Sequence, residues 1–469
     1  MFNVVLSQRS TRVPERPLTI RQIKKASKLN NPQDAYLNWF RHSSPYINSH
    51  RNKTFVVCFG GEAVDHDNFQ HIIHDFALLN SLGVRLVLVH GARKQINTEL
   101  HQAKISTPFE DNTRITHDRA LPFIVNAVGS LRIQIEALLS MGLANSPMHG
   151  ARIRVCSGNF ITARPIGIRN GKDFHHTGEV RRIDRKAIDD LLDKGDIVLL
   201  SSLGYSPTGE IFNLGMENVA TQTAIALNAD KLICFSKQEG IKNGAHELIR
   251  ELTPAQGRII IDEHPENGND TLNGLEAACK VCDQHVNRAH LISYVEDGAL
   301  IKELFTVNGS GTLICKEPYE KIRRATIEDI GGILDLLTPL EEQGVLVKRS
   351  RELLEAEIGQ FMVIERDNMI IGCAALYPFE LPAKTGELAC VAVHPDFRDG
   401  KRGSLLLNQI EKQAAHEGLR TLFVLTTQTA HWFLENGFVQ SSVDELPETR
   451  KSLYNFQRKS KVYKKPIIR

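Results

Sequence analysis

The chain has 469 residues, 42% of them hydrophobic and 24% charged, with a formal net charge of +2. That length exceeds what one hydrophobic core usually organises, so two domains are expected, with room for a short appended arm. The near-neutral balance gives no ground for nucleic acid or an anionic membrane as the main partner, and no apolar run approaches the roughly 20 residues that span a bilayer.

The first 28 residues are rich in Arg and Lys and carry one acid, Glu15. Organellar transit peptides share that bias, but the segment has no secretory apolar core, and it reads as a poorly ordered leader of a cytoplasmic protein. Residues 18–40 form one or two short amphipathic helices, interrupted near Asn31 and Pro32. This arm has too little apolar surface to stand alone and should dock on the next domain or on another subunit. The cysteines lie in apolar segments such as FVVCF, KLICF and TLICK, which suits reduced, buried thiols in a reducing cytosol. Cys279 and Cys282 form the one C-x-x-C, in a helical pattern with no second pair, so their role is structural and no metal is expected.

From 53 to about 314, short β-branched runs alternate with helical stretches, the pattern of a parallel sheet covered on both faces. Strands are predicted at 54–59, 85–90, 151–156, 196–202 and 230–235, with helices over 68–82 and 120–140 between them. The result is an α/β three-layer sandwich with a parallel-rich, doubly wound sheet. After Cys315 a smaller alternation begins. A strand and an acidic-capped helix over 319–337 are followed by three strands, FMVIERD, MIIGCAALYP and ELACVAVH, read as an antiparallel meander. A helix over 404–418, a strand over 421–426, a helix over 429–437 and a last strand near Val462 complete a smaller α/β domain with a mixed, largely antiparallel sheet. The expected division is 1–45 for leader and arm, 46–315 for the larger domain and 316–469 for the smaller.

The most informative stretch is ELACVAVHPDFRDGKRGSLLLNQIEKQA, residues 387–414. A strand runs into a basic, glycine-containing loop, and a helix starts near Ser404. Unpaired N–H groups and the helix dipole at such a junction favour a pyrophosphate, and Arg398, Lys401 and Arg402 add charge. This stretch, with the opening IRRATIEDI and the late WFLENGF, resembles the GNAT acetyltransferase family over about 150 residues. The resemblance implies acetyl-CoA as co-substrate, held by Val391, Ala392, Val393, Arg398, Asp399, Gly400, Lys401, Arg402, Gly403 and Ser404. Lys401 stands where the family pattern has glycine, so an altered loop path is expected, with Gly400 supplying the tight turn. Glu387, at the start of the strand beside the thioester, is either the general base or a carboxylate that orients the substrate. The acid tyrosine common in the family is replaced by Leu434.

A carboxylate acceptor is best held by paired guanidinium groups. GVLVKRSRELLE (344–355) and NFQRKSKVY (455–463) resemble segments of bacterial N-acetylglutamate synthases. That likeness implies L-glutamate as acceptor, with Arg349 and Arg458 as clamps and Lys348, Arg351 and Ser460 as lesser contacts.

FVVCFGGEAV and LVLVHGARKQIN resemble the glycine-rich phosphate loops of amino-acid kinases, but Cys58 replaces the loop lysine and Ala92 and Arg93 replace glycines of the second loop. Phosphoryl transfer depends on such a lysine, so kinase activity is not expected. LIKELFTVNGSGTLI (300–314) resembles the effector segment of arginine-sensitive kinases. It implies an L-arginine site with Glu303 on the guanidinium, Gly309 and Gly311 on the carboxylate, Lys231 nearby and the 18–40 arm as a lid. The whole pattern implies feedback-inhibited synthesis of N-acetyl-L-glutamate, the first step of arginine biosynthesis, by a homo-oligomer such as a hexamer. An acetyltransferase for another amine, a catalytically dead amino-acid sensor and a kinase with an accessory domain are the competing readings.

Overall fold

The computed structural model describes residues 32–467 apart from 142–147, 265–269, 307, 317–319, 367–368, 380–383, 429, 453 and 455–459. Most of the expected arm, the leader and Arg458 lie outside the described residues. What is described of the arm is one helix, Pro32–His50, which runs through the expected boundary at residue 45.

The larger domain is built on an eight-stranded sheet ordered Glu251–Leu252, Thr312–Cys315, Arg288–Ser293, Lys231–Ser236, Thr54–Phe59, Arg85–His90, Ile197–Ser201 and Val155–Cys156. Neighbours run parallel except Arg288–Ser293 against Thr312–Cys315. In the central strand, Phe55, Val57 and Phe59 enter one core while Val56 and Cys58 enter the other. The two-residue alternation therefore buries both faces, which is why the run is apolar throughout. Helices Phe69–Ser81 and Leu121–Leu139 contribute to the first core, and Met216–Leu227 and Asp270–Asp283 to the second. Leu121–Leu139 is long and apolar enough to cross a membrane by length and composition, contrary to the reading of the sequence. It nevertheless turns Ile124, Val128, Leu131, Ile135 and Leu139 into the first core.

Two corrections concern strands. Only Val155 and Cys156 of the expected 151–156 run are in the sheet. A separate four-stranded sheet, ordered Ile211–Asn213, Leu203–Tyr205, Ile161–Pro165 and Gly178–Ile183, has no counterpart among the expected elements. Strands such as GEVRRI are short and half polar, so they carry no apolar run to detect.

The smaller domain has a seven-stranded sheet ordered Lys321–Arg324, Phe361–Arg366, Met369–Phe379, Thr385–Val393, Thr421–Thr426, Lys461–Pro466 and Val439–Ser441. Phe361–Arg366, Met369–Phe379 and Thr385–Val393 form the expected antiparallel meander, and Lys321–Arg324 adds to it antiparallel to Phe361–Arg366. Thr385–Val393 pairs with the parallel strand Thr421–Thr426 only at Thr385, Gly386 and Glu387. Between the pairs Cys373↔Ala392 and Ala375↔Ala389 its own ladder carries one extra residue, and Cys390 adopts φ +53° there. A bulge of this kind bends and twists its strand, and beyond Glu387 the two parallel strands no longer pair.

Candidate functional site

Glu387 is the last residue joined to the neighbouring parallel strand, so it stands where the cleft opens. It is 8% exposed. Arg450 donates to both its carboxylate oxygens, from Nε at 2.6 Å and from the second guanidinium nitrogen at 3.0 Å. A carboxylate offers about four lone-pair sites, so this pair fixes the carboxylate plane and leaves acceptor capacity on each oxygen. Directly across the ladder from Glu387 is Tyr377, whose hydroxyl donates to Glu357 at 2.6 Å. Burial, then the bond to Glu357, push the Tyr377 phenol above its usual range. Burial likewise pushes the Cys390 thiol up to about 11.

Arg349 reaches the same cluster. Its backbone N–H donates to Glu341 at 3.1 Å, and its guanidinium lies 5.9 Å from the centre of the Tyr377 ring. Burial alone would lower the guanidinium pKa, but Cys390, Tyr377, Glu357 and Glu387 around it raise it overall. Arg450 is bound to Glu387, whereas no carboxylate forms an ion pair with Arg349 among the described residues. Lys348 and Arg351 are exposed, and Arg351 pairs with Glu355 on its own helix. The Ser460 carbonyl accepts from Tyr454 Oη at 2.6 Å. Arg450 was missed by sequence reasoning because it sits in a four-residue helix, Glu448–Lys451, in a charged stretch with no periodic signal. Tyr377 was findable, since the meander register places it opposite Glu387.

After the splayed strand come a 3-10 turn, Pro395–Gly400, and the helix Arg402–His416. Val391, Ala392 and Val393 line the strand into it. Arg398 is exposed and reaches the Val393 carbonyl at 3.4 Å. Asp399 and Gly400 lie in the 3-10 turn. No side chain caps the following helix, so its first-turn N–H groups, near Gly403 and Ser404, are available to an anion. Ser404 Oγ bonds Asn436 at 3.2 Å, and a Cβ on Gly403 would lie 3.1 Å from the Trp432 ring.

Two expectations about this loop change. Lys401 itself takes the left-handed conformation, φ +54° and ψ +20°, so the loop keeps the path that glycine would give at a cost of roughly 1–2 kcal/mol. Arg402 is not a free cation. It donates to both oxygens of Glu320 at 2.5–2.9 Å and to the Phe397 carbonyl at 2.8 Å. Arg366 also holds Glu320, at 3.2 Å, and both guanidinium groups lie over the buried Phe397 ring. Arg402 thus anchors the loop, and Arg398 and Lys401 are its exposed cations.

Models of two families match the chain, the amino acid kinase family over residues 53–293 and the acetyltransferase (GNAT) family over 331–438. An amino-acid acetyltransferase of Azotobacter vinelandii is 57% identical over 434 residues, 92% of this chain and 99% of that protein. One from Pseudomonas fluorescens is 56% identical over 92% of this chain and 99% of its own length. The chain belongs to the amino-acid acetyltransferase family. It is an acetyl-CoA-dependent amino-acid N-acetyltransferase. A solved N-acetylglutamate synthase from Neisseria gonorrhoeae, complexed with coenzyme A and L-arginine, shares 35% identity over 92% of this chain and 100% of that one, with a TM-score of 0.83. The same enzyme complexed with coenzyme A and N-acetyl-glutamate shares 36% identity over the same 92% and 100%, with a TM-score of 0.59.

In this acetyltransferase the chain's own side chains crowd the first of the two loops that resemble kinase phosphate loops. A Cβ on Gly60 would meet the Glu62 carboxylate at 2.6 Å, and one on Gly61 would collide with Gln95. Gln95 donates to the Gly61 carbonyl at 2.9 Å. Cys58, in the lysine position, is fully buried, with its thiol 3.2 Å from that of Cys234.

The effector segment is also self-engaged. Glu303 accepts from His290 at 2.7 Å, from the Ser310 N–H at 2.6 Å and from the Gly311 N–H at 2.8 Å. The glycine turn expected to hold a ligand carboxylate therefore holds Glu303, whose carboxylate lies against the position a Gly309 Cβ would take. Burial alone would raise the Glu303 carboxyl, but these bonds outweigh it and hold it at about 2. Lys231 is buried, 5.8 Å from the centre of the Phe55 ring. Phe55 and Phe305 make edge contacts with His50, the last residue of the arm helix, and His50 Nε2 lies 2.8 Å from the Leu304 carbonyl.

Two measurements follow from this geometry. Because glycine relieves the left-handed strain but costs about 0.5–1 kcal/mol of backbone entropy, Lys401→Gly should leave stability within about 1 kcal/mol. Lys401→Val should lower the melting temperature and raise the KM for acetyl-CoA; equal behaviour of the two variants would refute the strained-loop assignment. For Glu303, a folded pKa of about 2 against about 4.3 in the unfolded chain is worth on the order of 3 kcal/mol. That stabilisation is complete above the unfolded value and is lost as pH falls through the folded one. Glu303→Gln should therefore destabilise near neutral pH, with the gap to wild type narrowing towards about pH 3 in thermal melts.

Proposed function

We propose that the chain transfers the acetyl group of acetyl-CoA to the amino group of L-glutamate, giving N-acetyl-L-glutamate and CoA, and that L-arginine restrains the reaction from the kinase-like domain. The observation that carries the acceptor is Arg349: a half-buried guanidinium without a carboxylate partner among the described residues, in the same cluster as Glu387. A dicarboxylic amino acid placed there meets a bidentate cation with one carboxylate and presents its nitrogen to Glu387. Arg458, in the likeness to bacterial synthases, takes the other carboxylate, with Ser460 beside it. The complex of the gonococcal synthase with N-acetyl-glutamate supports the same acceptor.

In this reading Glu387, its plane held by Arg450, removes a proton from the glutamate ammonium, directly or through water. The free amine attacks the thioester carbonyl, the N–C bond forms, the S–C bond breaks, and the CoA thiolate takes up a proton. The opening beside 388–393 exposes backbone groups that suit the amides of pantetheine, and the uncapped helix start with Arg398 and Lys401 suits the pyrophosphate.

Arginine inhibition is supported by the gonococcal complexes. At nearly equal identity, the arginine-bound form matches this chain at a TM-score of 0.83 and the product-bound form at 0.59. Two arrangements of one enzyme, each with a different ligand, are what coupling between separate sites requires. A homo-oligomer, with a hexamer as its form, is part of the proposal, and Leu37, Trp39 and Phe40 exposed on the arm helix suit burial against another copy. So is a cytoplasmic location, which suits eight cysteines that are all free thiols.

Glutamate-dependent CoA release should occur without ATP. Arg349→Ala should raise the KM for glutamate by roughly 30- to 1,000-fold, as expected for loss of a charge-assisted bidentate contact, while changing that for acetyl-CoA far less. An unchanged glutamate KM would remove Arg349 from the acceptor pocket. In Glu303→Ala, arginine should no longer slow acetyl transfer while turnover persists; full sensitivity in that variant would sink the effector assignment.

A further inference from the structure

Three carboxylates lie near Arg349, and among the described residues none forms an ion pair with its guanidinium. Each is occupied by a different donor. Glu341 accepts from the Arg349 backbone N–H at 3.1 Å, and Glu387 is held at both oxygens by Arg450. Glu357, the last residue of helix Arg351–Glu357, accepts from Tyr377 Oη at 2.6 Å. A half-buried guanidinium and a carboxylate within reach ordinarily pair, because the bond is charge-assisted and can be bidentate. The donors that occupy these carboxylates are therefore what keeps Arg349 unpaired.

The weakest of the three arrangements is the one at Glu357, which depends on a neutral phenol. Tyr377 touches both groups that it separates: its hydroxyl is on Glu357, and its ring centre lies 5.9 Å from the Arg349 guanidinium. The sheet fixes its place, opposite Glu387 in the ladder between Met369–Phe379 and Thr385–Val393. Burial, then the bond to Glu357, raise the phenol pKa, so the hydroxyl stays protonated and remains a donor. Against the lowering effect of burial, Cys390, Tyr377, Glu357 and Glu387 together raise the Arg349 guanidinium. Glu357 is thus close enough to act on Arg349, and both side chains are long enough to close the remaining gap by a change of rotamer.

We propose that Tyr377 is a positioning residue for the acceptor: by occupying Glu357 it keeps that carboxylate off Arg349 and reserves the guanidinium for a carboxylate of the incoming amino acid. The proposal rests on the assignment of Arg349 to the acceptor. Without the hydroxyl, Glu357 becomes an internal competitor for the same cation. Acetyl-CoA has no carboxylate and is not subject to that competition.

The test is steady-state kinetics of the full-length enzyme, with glutamate and acetyl-CoA varied separately. Tyr377→Phe keeps the ring beside Arg349 and removes the hydroxyl alone. It should raise the KM for glutamate by roughly 5- to 50-fold, as expected when a charge-assisted pair must be displaced. The kcat and the KM for acetyl-CoA should stay within about threefold, which also reports a folded enzyme. The double variant Tyr377→Phe/Glu357→Gln has no carboxylate to release, and its glutamate KM should return to within about threefold of wild type. A merely structural tyrosine would give no such rescue, since the second substitution disturbs the same contact further. An unchanged glutamate KM in Tyr377→Phe, a rise that persists in the double variant, or a loss confined to kcat would each overturn the proposal. Arg349→Ala separates this outcome from the acceptor assignment itself. If that variant leaves the glutamate KM unchanged, the assignment fails; if it raises the KM and Tyr377→Phe does not, only the role of Tyr377 fails.

Discussion

A strand that stops pairing with its neighbour must give its backbone groups another partner, because an unpaired N–H or C=O kept from water costs as much as a lost hydrogen bond. In the smaller domain this obligation falls on the segment after Glu387, where the ladder to Thr421–Thr426 ends. The bulge at Cys390 keeps the segment bent away. The rest of the catalytic layout follows from that opening. The base candidate stands at its apex, the cluster of Arg349, Tyr377 and Glu357 proposed to hold the acceptor lies on the meander side, and the strand leads into a helix start with uncapped N–H groups.

The loop at that helix start shows how charge is divided between holding and binding. Three basic residues were read from the sequence as equivalent pyrophosphate contacts. Glu320 takes Arg402 and Arg366 together over Phe397, which fixes the loop against the domain and leaves Arg398 and Lys401 exposed. The proposed acceptor side repeats the division, with Arg450 held by Glu387 while Arg349 has no carboxylate ion pair among the described residues. Residue type alone marks all of these arginines alike; what separates them is whether a buried carboxylate lies within reach.

That distinction sets the limit of what was legible. The central strands 54–59 and 85–90, the long helices and the antiparallel meander were readable because apolar periodicity is a local property. The glycine-containing loop was readable because its residues are contiguous. Glu387–Arg450 joins positions 63 residues apart, and the polar four-stranded sheet is assembled from three- to six-residue pieces of the chain, so neither leaves a local pattern. The conformation of Lys401 was misjudged for a different reason. Propensity forbids little that tertiary packing can enforce, and the anchored Arg402 next to it holds the turn in place.

The kinase-like domain brings its own side chains against its glycine loops. Cys58 stands buried where the kinase resemblance has a lysine, and the Glu62 carboxylate lies against Gly60. Glu303 does the same at the Ser310–Gly311 turn, taking both backbone donors for itself. In both places a side-chain carboxylate meets N–H groups or a helix start of its own domain. The two cases differ in what remains open. Glu303 already has three donors and is held low, so a guanidinium arriving there must use the remaining lone pair or displace His290. Glu62, by contrast, has no side-chain donor among the described residues, and burial raises its carboxyl.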